Sequence, residues 1–164
     1  MIFVSNKYTM TKLIFPALLL ALSLFSFGTQ AQSSSSANLE AAQKAITTAN
    51  ERFFTDVLKN DGSIANHYTD DAWIMAPNGP ATKGHDAIVQ FFQAAVKAGV
   101  GSGQFTTLAV YGDGQEYVTE VGMAKVYLTS GQLLTEDKYL VLWKKTTDGW
   151  RMYRDMFNSA QPKN

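Results

Sequence analysis

There is no cysteine in this 164-residue chain. Disulfides and a lipidated cysteine are therefore excluded, and stability has to come from a packed core. There is no basic stripe either, so nucleic acid and polybasic contact with a membrane surface are not expected. The one long apolar run, Leu13 to Phe27, falls short of the ~20 residues that a bilayer crossing needs, and Pro16 interrupts it. No acidic residue stands before Ala31, whereas Lys7 and Lys12 form a positive region and Thr29-Gln30-Ala31 has the small-x-small shape of a cleavage site. Residues 1–31 are therefore expected to be a signal peptide. That predicts an exported protein, periplasmic or extracellular, with no stable membrane insertion after cleavage. Removing residues 1–31 from the 164 leaves 133, enough for one domain, with 12 basic against 14 acidic side chains.

What remains reads as a flexible tether over residues 32–38, one folded domain over 39–160 and a tail over 161–164. Leu39, Ala42, Ile46, Ala49, Phe53 and Val57 recur at spacings of three and four, the apolar face of a helix. Asn60-Asp61-Gly62 ends it, and Ser63 to Tyr68 predicts a short helix with Ile64 and Tyr68 inward. Ala72 to Ala76 predicts a strand, stopped by Pro77-Asn78-Gly79-Pro80. Gly84 to Lys97 predicts a second helix with Ile88, Phe91, Phe92 and Ala95 buried, and Gly99 to Gly103 is expected to break the chain. Four strand-like runs follow, near Phe105–Tyr111, Glu116–Leu128, Leu133–Lys145 and Trp150–Phe157, separated by short turns. That is an antiparallel meander. Tyr139-Leu140-Val141-Leu142-Trp143 is apolar on both faces, as expected of a sheet covered by helices on one side and a second subunit on the other.

Several local segments carry a family resemblance: Tyr68-Thr69-Asp70-Asp71-Ala72, Pro77 with Gly79, Gly84-x-x-Ala87-Ile88 before Phe91-Phe92, Lys138-Tyr139, Trp143-Lys144-Lys145, Asp148-Gly149-Trp150 and Arg154-Asp155-x-x-Asn158-Ser159. In order and spacing, from about Leu39 to Ser159, they resemble the SnoaL-like domains of the nuclear transport factor 2-like superfamily. The resemblance implies an α+β fold: a curved antiparallel sheet wrapped around N-terminal helices into a cone, often as a homodimer. It does not imply one activity, because enzymes, binders and assembly modules share the cone.

Ketosteroid isomerase, a relative within that superfamily, works with an aspartate base and an oxyanion hole. By resemblance its base falls at Ala76, its phenol donor at Phe53 or Phe54, and a second tyrosine at Phe92. None of these can accept or donate the proton, so that isomerase chemistry is not expected. His67 and His85 are expected to be solvated or capping residues. With no third partner spaced for them, no metal is implied, and no cofactor. Asp70-Asp71 reads as turn capping rather than a pocket pair.

Strict alternation along the last strand separates Trp150, Met152, Arg154, Met156 and Asn158 from Arg151, Tyr153, Asp155 and Phe157. By resemblance the first set faces the cone. The candidate ligand-binding residues are then Tyr68, Phe92, Tyr139, Trp143, Arg154 and Asn158. Arg154 would be paired with Glu120, Glu136 or Asp155, or would hold a ligand carboxylate or carbonyl. The resulting expectation is an exported domain that binds a small organic acid or carbonyl compound. The alternatives are a SnoaL-like isomerase, dehydratase or cyclase, which needs a carboxylate at the cavity centre, and a dimeric interaction module with a filled cavity.

Overall fold

The computed structural model describes residues 26–161, with side chains from Ser35 onward. Most of the expected signal peptide, and the tail beyond Gln161, lie outside the described residues. Among the described residues no helix is long and apolar enough to cross a membrane. The chain runs α1 (Ser26–Lys59), a short 3-10 helix (Ser63–His67), β1 (Tyr68–Met75), β2 (Thr82–Lys83), α2 (His85–Lys97), β3 (Val100–Gly112), β4 (Tyr117–Leu128), β5 (Leu133–Thr146) and β6 (Gly149–Ser159). The strands form one six-stranded sheet in the order β2-β1-β6-β5-β4-β3. The β3-β4-β5-β6 meander is antiparallel throughout, and β1 joins β6 in parallel. This is the expected α+β cone.

The apolar face read from the sequence of α1 is the face that is buried: Ala42, Ile46, Phe53 and Val57 pack into the core, with Leu39 and Ala49 at its margin. Ile88 of α2 belongs to the same buried core as Ile74, Val141, Trp143 and Met152 of the sheet. Two expectations differ. The serine run of residues 32–38, expected as a tether, is continuous with α1. Serine is only a middling helix former, but extending an existing helix requires no new nucleus. The glycine-rich segment after α2 is also not a break, because β3 starts at Val100 and runs through it. Glycine serves close approach here. A Cβ at Gly103 would run into the Phe54 ring, and one at Gly101 into the backbone of Thr129.

The sheet carries two bulges that matter for the site. On β3 the register steps from Thr107↔Gly122 to Ala109↔Val121, leaving Leu108 unpaired and exposed. On β6 it steps from Trp143↔Met152 to Leu142↔Arg154, leaving Tyr153 as the extra residue. An inserted residue exchanges the two faces of a strand from that point on. Beyond Tyr153, therefore, Asp155 and Phe157 turn inward, and Arg154, Met156 and Asn158 turn outward.

Candidate functional site

Two inward rows cross the sheet side by side. One runs Val110, Glu120, Val141, Asp155, and the next Thr107, Gly122, Tyr139, Phe157. Together they place two carboxyl groups and a phenol under the helices.

Glu120 is completely buried, at 0% exposure. Its Oε1 accepts hydrogen bonds from Asn50 Nδ2 (2.8 Å), Thr107 Oγ1 (2.6 Å) and Tyr139 OH (2.7 Å), and its Oε2 accepts one from Trp143 Nε1 (2.9 Å). Four donors from α1, β3 and β5 thus converge on one side chain, which is how a buried carboxylate is normally accommodated. Tyr139 reaches Glu120 because its cross-strand neighbour is glycine. A Cβ at Gly122 would collide with the phenol and with the Thr106 carbonyl.

Asp155, at 8% exposure, accepts a hydrogen bond on Oδ2 from the buried Tyr68 OH (2.9 Å). Burial pushes its carboxyl up to about 6, opposed in part by the Tyr68 bond and reinforced by the charge of Glu120. Its other oxygen, Oδ1, receives no hydrogen bond among the described residues. Burial, then the neighbouring carboxylate, holds both phenols protonated: Tyr68 by Asp155 and Tyr139 by Glu120.

Asp155 and Tyr139 line a cavity of about 240 Å³ between the sheet and both helices. Its wall is made by Phe53 and Phe54 of α1, Phe91 and Phe92 of α2, Phe105 of β3 and Phe157 of β6. The rings meet edge to face at 5.1–5.4 Å for Phe53–Phe92, Phe53–Phe105 and Phe91–Phe92. Asp137 and Thr135 complete the lining on β5, with the Thr135 hydroxyl donating to Asp137 Oδ1 at 2.8 Å. Leu134 stands exposed at the rim.

Of the six candidates named from sequence, Tyr139 and Phe92 line this cavity. Tyr68 stands behind it, touching it through Asp155. Trp143 is wholly buried and serves Glu120 rather than the cavity. Arg154 and Asn158 are corrections. The Tyr153 bulge puts both on the outer face, where Asn158 is exposed. None of the three carboxylates expected for Arg154 is its partner. Its Nη1 donates to the carbonyls of Tyr153 (2.7 Å) and Asp71 (3.1 Å), and its guanidinium stacks 3.6 Å from the Tyr153 ring centroid. No lysine, arginine or histidine is among the residues lining the cavity.

The histidines also differ from expectation in part. His67 is buried and bonded to Asp56 Oδ2 at 2.8 Å, with burial lowering its basicity against the pull of that carboxylate. His85 is half-exposed and bonds the Tyr68 carbonyl at 3.0 Å. Asp70 and Asp71 are both exposed, with Asp71 Oδ1 accepting from Thr69; they line an open surface groove beside His85 and are absent from the aromatic cavity. Among the described residues no group of side chains is arranged to hold a metal ion.

Sequence reasoning missed Asp137, and offered Asp155 and Glu120 only as partners of Arg154. Asp155 was set on the wrong face by unbroken alternation. Asp137 and Glu120 could have been found, since each sits in phase with buried residues of its own strand: Asp137 with Tyr139 and Val141, Glu120 with Val118.

The model of the SnoaL-like domain matches residues 51–157. No curated protein matches the chain. Among solved structures, a domain of unknown function with a cystatin-like fold from Nostoc punctiforme superposes with a TM-score of 0.63 at 16% identity, over 74% of this chain and 79% of that one. A nuclear transport factor 2-like protein with a cystatin-like fold from Novosphingobium aromaticivorans gives 0.61 at 16%, over 85% and 94%. A ketosteroid isomerase-like protein from Erwinia carotovora atroseptica gives 0.56 at 22%, over 77% and 96%. At these identities the likeness is one of fold.

Proposed function

The chain belongs to the SnoaL-like domain family, and from that premise we propose that its cone receives a small, mostly apolar organic molecule whose one polar group is anchored by Asp155. The observation that carries this is a carboxyl group more than nine-tenths buried, with one oxygen unbonded among the described residues, in the wall of an aromatic cavity. At about 240 Å³ the cavity is larger than the ~150 Å³ that admits benzene and smaller than the ~300–1,000 Å³ of ordinary ligand pockets, so its guest is of the order of one ring with a short chain.

The test is an apolar probe. Toluene should bind the wild type and perturb the NMR signals of Phe92 and Phe105. Ala95→Trp, which fills the cavity from α2, should weaken toluene by at least about tenfold. A wild type that takes up no toluene would remove this reading in favour of an interaction module.

A catalytic reading has one observation in its favour. A carboxyl raised to about 6 is suited to proton transfer near neutral pH. Against it, the Tyr139, Tyr68 and Thr135 hydroxyls are all committed to carboxylates, so no side-chain hydroxyl here is left to stabilise a developing oxyanion. Binding without enolisation is therefore the reading put forward.

We also propose that the mature chain is exported and pairs through the outer sheet face. There Ala109, Val121, Leu140 and Met156 form one apolar row, with Leu140 44% and Met156 42% exposed. Native mass spectrometry of the exported product reads both points. The expected species is a dimer of chains beginning at Gln32, converted to monomer by the double change Leu140→Glu and Met156→Glu. A wild-type monomer, or an uncleaved chain, would contradict the corresponding half.

A further inference from the structure

Among the described residues the cavity has acceptors and no free side-chain donor. Tyr139 lines it, but its proton is directed to Glu120, because a carboxylate oxygen can only accept. The Thr135 hydroxyl is directed to Asp137, and behind the wall Tyr68 donates to Asp155. Among these lining residues the carboxylate oxygens left without a hydrogen bond are Asp155 Oδ1 and the second oxygen of Asp137, and the Tyr139 oxygen keeps its lone pairs. The rest of the surface is phenylalanine rings and aliphatic side chains. Arg154, the cation expected in this wall, lies on the other side of the sheet.

We infer that the cavity selects a small organic cation, a primary amine or ammonium attached to an apolar body, and rejects carboxylates. An ammonium group brings the donors that the wall lacks, supplies the positive charge that buried carboxyl groups favour, and finds ring faces for its remaining surface. A carboxylate guest would place a third negative group beside Asp155 and Asp137 with nothing to pair it.

This inference rests on the pocket reading above, and one experiment separates the two. The purified protein is titrated calorimetrically at pH 7.5 with 2-phenylethylamine, 2-phenylethanol and phenylacetate, with toluene as the class-neutral probe. The amine is expected to bind about tenfold or more tighter than the alcohol, and phenylacetate more weakly than either. Asp155→Asn should collapse the amine-to-alcohol ratio toward one, and Asp137→Asn should reduce it. The second variant also covers the case in which the first fails to fold. If phenylacetate equals or exceeds the amine, or if neither substitution changes the ratio, the inference is overturned while toluene binding leaves the pocket standing. If toluene fails as well, the pocket reading falls and this inference falls with it.

Discussion

Replacing Glu120 with alanine should lower stability by about 3–5 kcal/mol, the largest effect expected of any single polar substitution in this chain. The reason lies in what is left behind. Asn50, Thr107, Tyr139 and Trp143 all direct a donor to this carboxylate, and Tyr139 and Trp143 are buried. Each buried donor left without an acceptor costs about 1–3 kcal/mol, and the part-buried Asn50 and Thr107 lose their partner as well. Glu120→Gln keeps the volume but replaces one acceptor oxygen with an NH2 group that must face a donor, and about 1–3 kcal/mol is expected. Urea unfolding followed by tryptophan fluorescence checks both. A loss below about 1 kcal/mol for the alanine variant would mean that the four bonds do not hold α1, β3 and β5 together.

The second large effect is a pH dependence of opposite sign to that of most carboxylates. Asp155 takes up its proton more readily folded, at about 6, than its ordinary value of 3.8. Between those values the folded state binds more protons than the unfolded one, so this group's contribution is most favourable below pH 4 and is lost as pH rises through 6. The gap corresponds to about 3 kcal/mol at full ionisation. Asp155→Asn cannot ionise and keeps an acceptor for Tyr68. Compared with the wild type, the variant should be near equal at pH 4 and about 1–3 kcal/mol more stable at pH 8, or ~5–10 °C in Tm. The same substitution should impair amine binding. A residue that destabilises the fold while serving the pocket is the pattern expected of a functional position. A stability difference that is flat with pH would show that Asp155 is ionised as easily as a solvated carboxylate.

Most of the fold could be read from the sequence because periodicity and turn residues agreed. The α1 face predicted which residues of that helix are buried, though not its start at Ser26, and the Asn60-Asp61-Gly62 stop and the hairpin glycines placed the turns to within a few residues. The site was only half legible. Phe92, Tyr139 and the aromatic wall followed from in-phase apolar residues, but Arg154 and Asn158 were placed on the wrong side by a single bulge at Tyr153. No local residue type announces that bulge; Met152-Tyr153-Arg154 has no glycine or proline. Its position is decided by cross-strand packing, which keeps Trp150 and Met152 in the core and then turns Asp155 toward Tyr68, a partner 87 residues away. Glu120 was hidden for a similar reason, since a glutamate in a strand reads as solvent-facing until its four partners from distant elements are brought together.

The carboxyl of Asp155 is where fold and proposed function meet, and its titration is the most direct measurement of both. With the aspartate side chains labelled with ¹³C, the Asp155 carboxyl signal should titrate with a midpoint near 6, and 2-phenylethylamine should move that midpoint down, because a bound cation favours the ionised form. A midpoint near 4, unmoved by the amine, would contradict the account.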